Sequence, residues 1–432
     1  MEKILELAKK VTEAAEVFTV ASEETSVQFE SNRLKHIQGK QSTTTSLRVI
    51  KNGRIGYAMT AGDVSEVDLV NMAVETAQFG MEAKFEFPDA AAYPQVAIYD
   101  EAVTEVSSEQ MIKLGEELIA PLRSNTPDIV CHAGAGRGLI SVRMMNSRGG
   151  TAGYTKSIFS IGVEGTIVHG TDMLFVGDGE SSCHPVLDTK NVLDAVMLQL
   201  QYAKTQATVA TKQLPVIFTP DGVASAFMPS LMAAFNGKMV LEGASPVGRR
   251  LGEQVFDKRF YLWDDATIAY CPEARPCDDE GVPSRKIPLV ENGRIMNFLY
   301  DLQTAALAGK QSTGSGSRGR GLQAPSPSAF VVASGDTPFD DMVRDIKEGL
   351  VIEQLMGAEQ GNVLGGDFSG NVLLGYKIEN GKITGRVKDT MVSGNVYRLL
   401  KDITALGSRP KWVGGSLYTP HIYCSGLSVA SK

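Results

Sequence analysis

Three copies of one short phrase set the strongest constraint on what this chain can fold into. Ile50-Lys51-Asn52-Gly53-Arg54-Ile55, Val290-Glu291-Asn292-Gly293-Arg294-Ile295 and Ile378-Glu379-Asn380-Gly381-Lys382-Ile383 share a β-branched residue, a charge, Asn-Gly, a basic residue and Ile. Asn-Gly suits a type I′ turn, whose two central residues both need φ > 0. With strand formers on either side, each phrase predicts a tight antiparallel hairpin. Antiparallel sheet is therefore required in both halves of the chain.

At 432 residues the chain exceeds one ordinary core, so two or three domains are expected. Its 43% hydrophobic and 21% charged residues are those of a globular protein in water. No stretch approaches the roughly 18 apolar residues of a membrane span. The first ten residues scatter charges where a signal peptide needs an apolar run. Five cysteines spread over the length give no disulfide framework and suit a reducing compartment, so a cytoplasmic location is expected. A net charge of −8 without a Lys/Arg block argues against direct nucleic-acid binding.

Periodicity outlines the organisation. Leu5, Ala8, Val11 and Ala15 recur at helical spacing, and two strand-like runs, 25–37 and 43–59, follow. Asp63-x-x-Glu66 fits a capping box for a helix ending near Gly80, and Ser107-x-x-Gln110 opens another to about Leu122. A long β stretch, 129–175, leads to a helix over 192–207. Ser26–Arg33 resembles Ser141–Arg148, and each follows a helix. A duplicated helix-plus-hairpin unit explains that echo; so does a strand pattern that two segments happen to share. Beyond Leu214 come a short strand, 216–219, a helix over 223–235 that Asp221 could cap, and mostly β structure. Helices are expected there at 301–309, after Pro338 with Phe339, Met342, Val343, Ile346 and Leu350 on one face, and at 395–406 with Gly407 after its end. The fold class is α+β: an α+β domain over 1–210 with an antiparallel sheet, and a mainly β domain over 211–432, barrel- or sandwich-like.

Four blocks in order carry a resemblance. They are Val27–Lys35 with Leu47–Ala58; Asp278-Asp279-Glu280-Gly281-Val282-Pro283-Ser284 with Phe298–Asp301; Asp345–Leu350; and Gly366-Asp367-Phe368-Ser369-Gly370 through Ser393-Gly394-Asn395. Together they are similar to the TldD/PmbA family, whose PmbA branch is also called TldE and, historically, modulator of DNA gyrase. The resemblance implies a cytosolic TldD–TldE heterodimer that trims or degrades small unfolded peptides. In that family TldD carries His-Glu-x-x-x-His on a helix and a Cys near the C-terminus. Two His on neighbouring turns hold Zn²⁺ while the Glu polarises its water.

This chain lacks the motif. An ungapped match places Ala226, Phe227 and Leu231 where the two His and the Glu belong, and none of the three can ligate zinc or move a proton. The segment 411–416 shows Gly414-Gly415 and no Cys, and Cys424 lies too far along. The chain thus resembles the PmbA/TldE side: no catalytic residue, no metal of its own, and zinc expected only in a TldD-like partner. Peptides are the expected ligands, with strand addition as the means of holding them. In isolation a homodimer is expected.

Other features carry weaker readings. The Gly/Ser loop 310–321 lacks the Gly-Lys-Ser/Thr of a P-loop and is either a surface loop or a border of the peptide cleft, where Thr313, Arg318 and Arg320 could meet substrate. Met228 and Met232 on the 223–235 helix could line an apolar groove, or simply fill core. Cys131-His132 and Cys183-His184 can each point only one residue to a given side of a strand. Two alternatives stay open: a self-sufficient hydrolase built on His132, His169 or His184, and a non-enzymatic regulator of a folded protein such as a topoisomerase.

Overall fold

The computed structural model describes residues 1–62, 65–319 and 321–431, so Asp63 of the expected capping box and Arg320 lie outside it. All three Asn-Gly phrases form hairpins: Ile50 faces Ile55, Val290 faces Ile295 and Ile378 faces Ile383. Their φ angles are 51° and 69°, 49° and 70°, and 50° and 75°, the left-handed pair a type I′ turn requires.

The first half is built on six antiparallel strands, β1 (Ala14–Glu30), β2 (Arg33–Lys51), β3 (Arg54–Ala61), β4 (Val130–Asn146), β5 (Thr151–His169) and β6 (Asp172–Ser182). Their spatial order is β3-β2-β1-β4-β5-β6, two three-strand meanders back to back. The seam pairs β1 with β4 from Glu16↔Asn146 to Phe29↔Ala133. Each meander is preceded by a helix (Glu2–Lys9, Ser108–Asn125) and followed by one (Glu66–Ala77, Lys190–Tyr202). The Ser26/Ser141 echo falls at equivalent places, where β1 and β4 run into their first hairpin turns. The repeated unit is larger than the echo suggested: helix, meander, helix. Apolar faces of these helices cover the sheet, Ile4, Leu5, Leu69 and Ala73 over Val17 and Leu47, and Leu114, Leu118, Val192 and Val196 over Phe29, Ile161 and Val163.

The second half contains a closed barrel. Strands Glu348–Met356, Lys212–Phe218, Ile422–Ser431, Thr390–Asn395 and Asp367–Glu379 follow one another, and the last pairs back to the first. Helix Pro220–Phe235 packs its Val223, Phe227 and Leu231 into the same apolar cluster as the barrel residues Val216, Phe218 and Ile352. A second six-stranded sheet ends in the hairpin Lys411–Val413/Leu417–Thr419. One apolar cluster joins the halves, since Ile217, Val351 and Tyr376 pack with Val192 and Leu118.

Several expected boundaries move. The first helix stops at Lys9, and Ala15 is already in β1, because Val17, Phe18 and Val20 extend the chain. The run 25–37 is split by a turn at Ser31-Asn32, with φ of 49° and 68°. The helix after Pro338 covers only Phe339–Asp345; Leu350 belongs to the barrel strand Glu348–Met356. The helix after Asn395 ends at Leu399, and Ile403–Leu406 is a strand that pairs with the final one. In both places an available strand partner overrides an amphipathic pattern. Thr219 caps the helix Pro220–Phe235, accepting from the Gly222 N–H at 3.2 Å, which frees Asp221 for another contact.

Candidate functional site: a glycine-floored cleft

Between the β4–β6 end of the first sheet and the hairpin 411–419 lies a cleft of about 1230 Å³. Its floor is nearly bare of side chains. Gly134 pairs with Gly162 and Gly162 with Gly179, a glycine row across three strands. Two residues along, His132, Glu164 and Gly177 form the neighbouring row on the same side of the sheet. A Cβ added at Gly134 would meet only the Val27 carbonyl oxygen at 3.1 Å, so this surface is open. Trp412, Tyr418 and Tyr270 stand at the walls. The lining carries five carboxylates, of Glu30, Glu164, Asp178, Glu180 and Asp221, against the single ammonium of Lys411.

Lys411 is the electrostatic centre. Its Nζ lies 2.6 Å from Asp178 Oδ1 on β6 and 3.5 Å from Asp221 Oδ2 in the first turn of the helix Pro220–Phe235. Burial opposes its charge, yet Asp221 and Asp178 together hold the ammonium above its ordinary pKa. Burial raises the Asp178 carboxyl even beside Lys411. Glu353 is pushed up to about 7 by burial and by Asp221, and accepts from Gln199 Nε2 at 3.4 Å. His421 is pushed down to about 4 by burial and by Lys411. Polar groups from both halves thus perturb one another at the cleft wall.

The positions matched to the metal motif do not line this cleft. Ala226, Phe227 and Leu231 are buried in the core, with Phe227 4.8 Å from Phe218, centroid to centroid. None offers an atom that binds a metal, and among the described residues no three His, Cys, Asp or Glu side chains converge on one. The cation between carboxylates here is an ammonium. Zinc does not fit this donor set. Gly414 and Gly415 form the hairpin turn with φ of 57° and 69°, and a Cβ at Gly415 would sit 3.0 Å from Ser181 Oγ and Pro272 Cγ. Cys424 is buried in the final barrel strand, and burial raises its thiol pKa further out of reactive range.

The other sequence-derived candidates are placed elsewhere. Met228 packs on the barrel core, Met232 is exposed, and neither lines the cleft. Thr313 is buried, accepting from the Tyr300 N–H at 2.7 Å. Arg318 is drawn into an ionic layer between the halves. It pairs with Glu16, donates to the Asp279 carbonyl at 3.0 Å and to Ser46 Oγ at 3.2 Å, and covers the Phe18 ring at 4.5 Å. In the same layer Arg48 bonds Glu280 at 2.6 Å, pairs with Glu16 at 3.1 Å and lies against the edge-to-face rings of Phe85 and Phe87. Burial raises the Glu280 carboxyl and Arg48 opposes it. The Gly/Ser loop is therefore structural where Thr313 and Arg318 lie, because the Asp278 and Asp279 carboxylates take its Gly316 and Arg318 N–H groups. Cys131 and Cys183 are buried, His132 faces the cleft, and His184 Nδ1 meets Asp100 Oδ2 at 2.5 Å.

Sequence reasoning missed Lys411, Asp178, Asp221 and the glycine row. A signal did exist: Gly134-x-Gly136-x-Gly138 and Gly177-x-Gly179 put glycine on one face of a strand.

Comparison with known proteins agrees with this architecture. The PmbA/TldA metallopeptidase C-terminal domain profile matches residues 211–431, and that of domain 1 of the same metallopeptidases matches 15–78. An uncharacterized protein of Methanocaldococcus jannaschii is 26% identical over 432 residues, 99% of each chain. The metalloprotease PmbA homolog of Haemophilus influenzae is 26% identical over 93% of this chain and 89% of its own. The crystal structure of TldE from Thermococcus kodakarensis superposes with a TM-score of 0.89 at 22% identity, covering 100% of both chains, which speaks to the fold. With half of its length under a single profile of the family, the chain belongs to the PmbA/TldD metallopeptidase family.

Proposed function

We propose that this chain is a TldE-like, non-catalytic subunit of a cytosolic metallopeptidase, holding extended peptides in the cleft while a TldD-like partner carries the zinc. The observation that supports it best is Lys411, an ammonium bonded to Asp178 and Asp221 beside a helix whose motif positions are Ala226, Phe227 and Leu231. A fixed positive charge repels a divalent ion, and among the described residues no other donor set replaces the missing one. The glycine floor lets a ligand backbone approach closely and reads no side chain, which suits capture of unfolded segments of varied sequence.

The test is reconstitution. The purified chain should bind an unstructured peptide yet cleave none, with or without added Zn²⁺. Cleavage should appear when a relative bearing His-Glu-x-x-x-His is added, and that relative should co-purify with this chain. Peptide hydrolysis by this chain alone, lost on chelation, would overturn the reading.

A further inference from the structure

β6 is the last strand of its sheet, and its outer edge borders the cleft. His169 and Asp172 flank a two-residue turn, so the even-numbered residues of β6 bond inward to β5 and the odd-numbered ones face outward. Several of those outward groups are already occupied, mostly by side chains. Arg386 Nη1 donates to the Met173 carbonyl at 3.0 Å. The Gln199 carboxamide makes a two-way pair with Gly177: the Gly177 N–H donates to Oε1 at 2.9 Å, and Nε2 donates to the Gly177 carbonyl at 3.1 Å. That is the bonding a residue of a paired strand would make. The Gly179 N–H donates to Asp178 Oδ1 at 2.9 Å, and the Cys183 N–H to the Tyr270 carbonyl at 2.9 Å.

The Gly179 carbonyl and both backbone groups of Ser181 have no partner among the described residues. Phe175 is also unpartnered but stands alone between two occupied positions. The border between covered and open edge therefore falls inside the cleft, between Gly177 and Gly179.

We propose that Gln199 is a register stop: its carboxamide fills the strand-pairing place at Gly177, so that a captured peptide pairs only along Gly179–Ser181. This rests on the peptide-cleft reading above. Gln199 is a positioning residue that sets how much of a peptide the edge can hold. Blunting of a sheet edge against aggregation is a general device. What distinguishes this one is a side-chain amide that copies a backbone and leaves the adjoining stretch bare.

The experiment compares wild type, Gln199→Ala and Gln199→Glu in binding a length series of end-blocked, fluorescein-labelled polythreonine peptides, read by anisotropy. Wild-type affinity should level off as the peptide lengthens. Gln199→Ala should keep gaining, ending about threefold to tenfold tighter than wild type for the longest peptide, the worth of one or two added hydrogen bonds. Gln199→Glu keeps the acceptor for the Gly177 N–H and loses the donor to its carbonyl, so its gain should be intermediate. It also serves should the alanine variant not fold. Amide exchange at Gly177 should be slow in wild type, fast in free Gln199→Ala, and slowed again by long peptide only. Identical length profiles in wild type and variants overturn the register stop while sparing the cleft. A wild-type protein that binds no peptide of any length brings down both.

Discussion

Arg48 and Lys411 each stand between a carboxylate of the first half and one of the second: Glu16 and Glu280 for the arginine, Asp178 and Asp221 for the lysine. Their surroundings are opposite. Arg48 is sealed against a touching pair of phenylalanine rings, whereas Lys411 keeps about a third of its side chain exposed at a cleft wall. A planar guanidinium with five donors can satisfy two carboxylates and stack on aromatic faces in a dry layer. A hydrated ammonium suits a wall that a ligand must approach. The same charge pattern serves cohesion in one place and a binding surface in the other, and burial decides which.

The largest expected effect lies on the sealed side. Arg48→Met strands Glu280 without a counter-charge and leaves Glu16 to Arg318 alone, and should cost about 3–5 kcal/mol in urea unfolding. A loss below about 1 kcal/mol would erase the distinction between the two centres.

Next come the titrating groups around Lys411, which should act with opposite signs. The His421 pKa is about 4 folded against an ordinary 6.5, so the imidazole is neutral in both states above 6.5. As pH falls toward 4, the unfolded chain takes the proton first and stability is lost, by up to about 3 kcal/mol. His421→Gln should flatten that acid limb in unfolding curves taken through the window. Glu353 runs the other way, its folded pKa of about 7 lying above the ordinary 4.5. Its contribution is fully present below 4.5 and lost as pH rises through 7, so Glu353→Gln should stabilise by about 3 kcal/mol at alkaline pH and by little in acid. A variant equally stabilised across the range would show that Glu353 does not titrate in this way.

The smallest effect is expected at Lys411 itself. Lys411→Met should cost about 1 kcal/mol, because water still reaches Asp221, while changing peptide affinity measurably. Were Lys411→Met as costly as Arg48→Met, the cleft wall would have to be counted as a sealed layer too.

Legibility followed the range of the interaction. The Asn-Gly hairpins, the Ser107–Gln110 capping box and the echo between Ser26 and Ser141 could all be read, because each depends on neighbours in sequence. Arg318 looked like a loop residue free to meet substrate, because Gly and Ser surround it. Its partners Glu16 and Ser46 lie about 300 and 270 positions away, and no local pattern reveals them. The helical period through Ile346 and Leu350 was misleading for a related reason, since a barrel strand at Lys212–Phe218 was waiting to pair with that segment.

By itself the sequence determined the turns, the antiparallel hairpins in both halves, the family and the lack of any metal-ligating side chain at Ala226, Phe227 and Leu231. These follow from backbone dihedral preferences and from which side chains carry donor atoms, both properties of residues in place. Only the tertiary structure decided where the cleft lies, that glycines of three strands form its floor, and that Lys411 rather than Arg318 stands at its wall. Those outcomes depend on which distant strands align in register and on how far each charge is withdrawn from water, and neither is set until the chain has closed on itself.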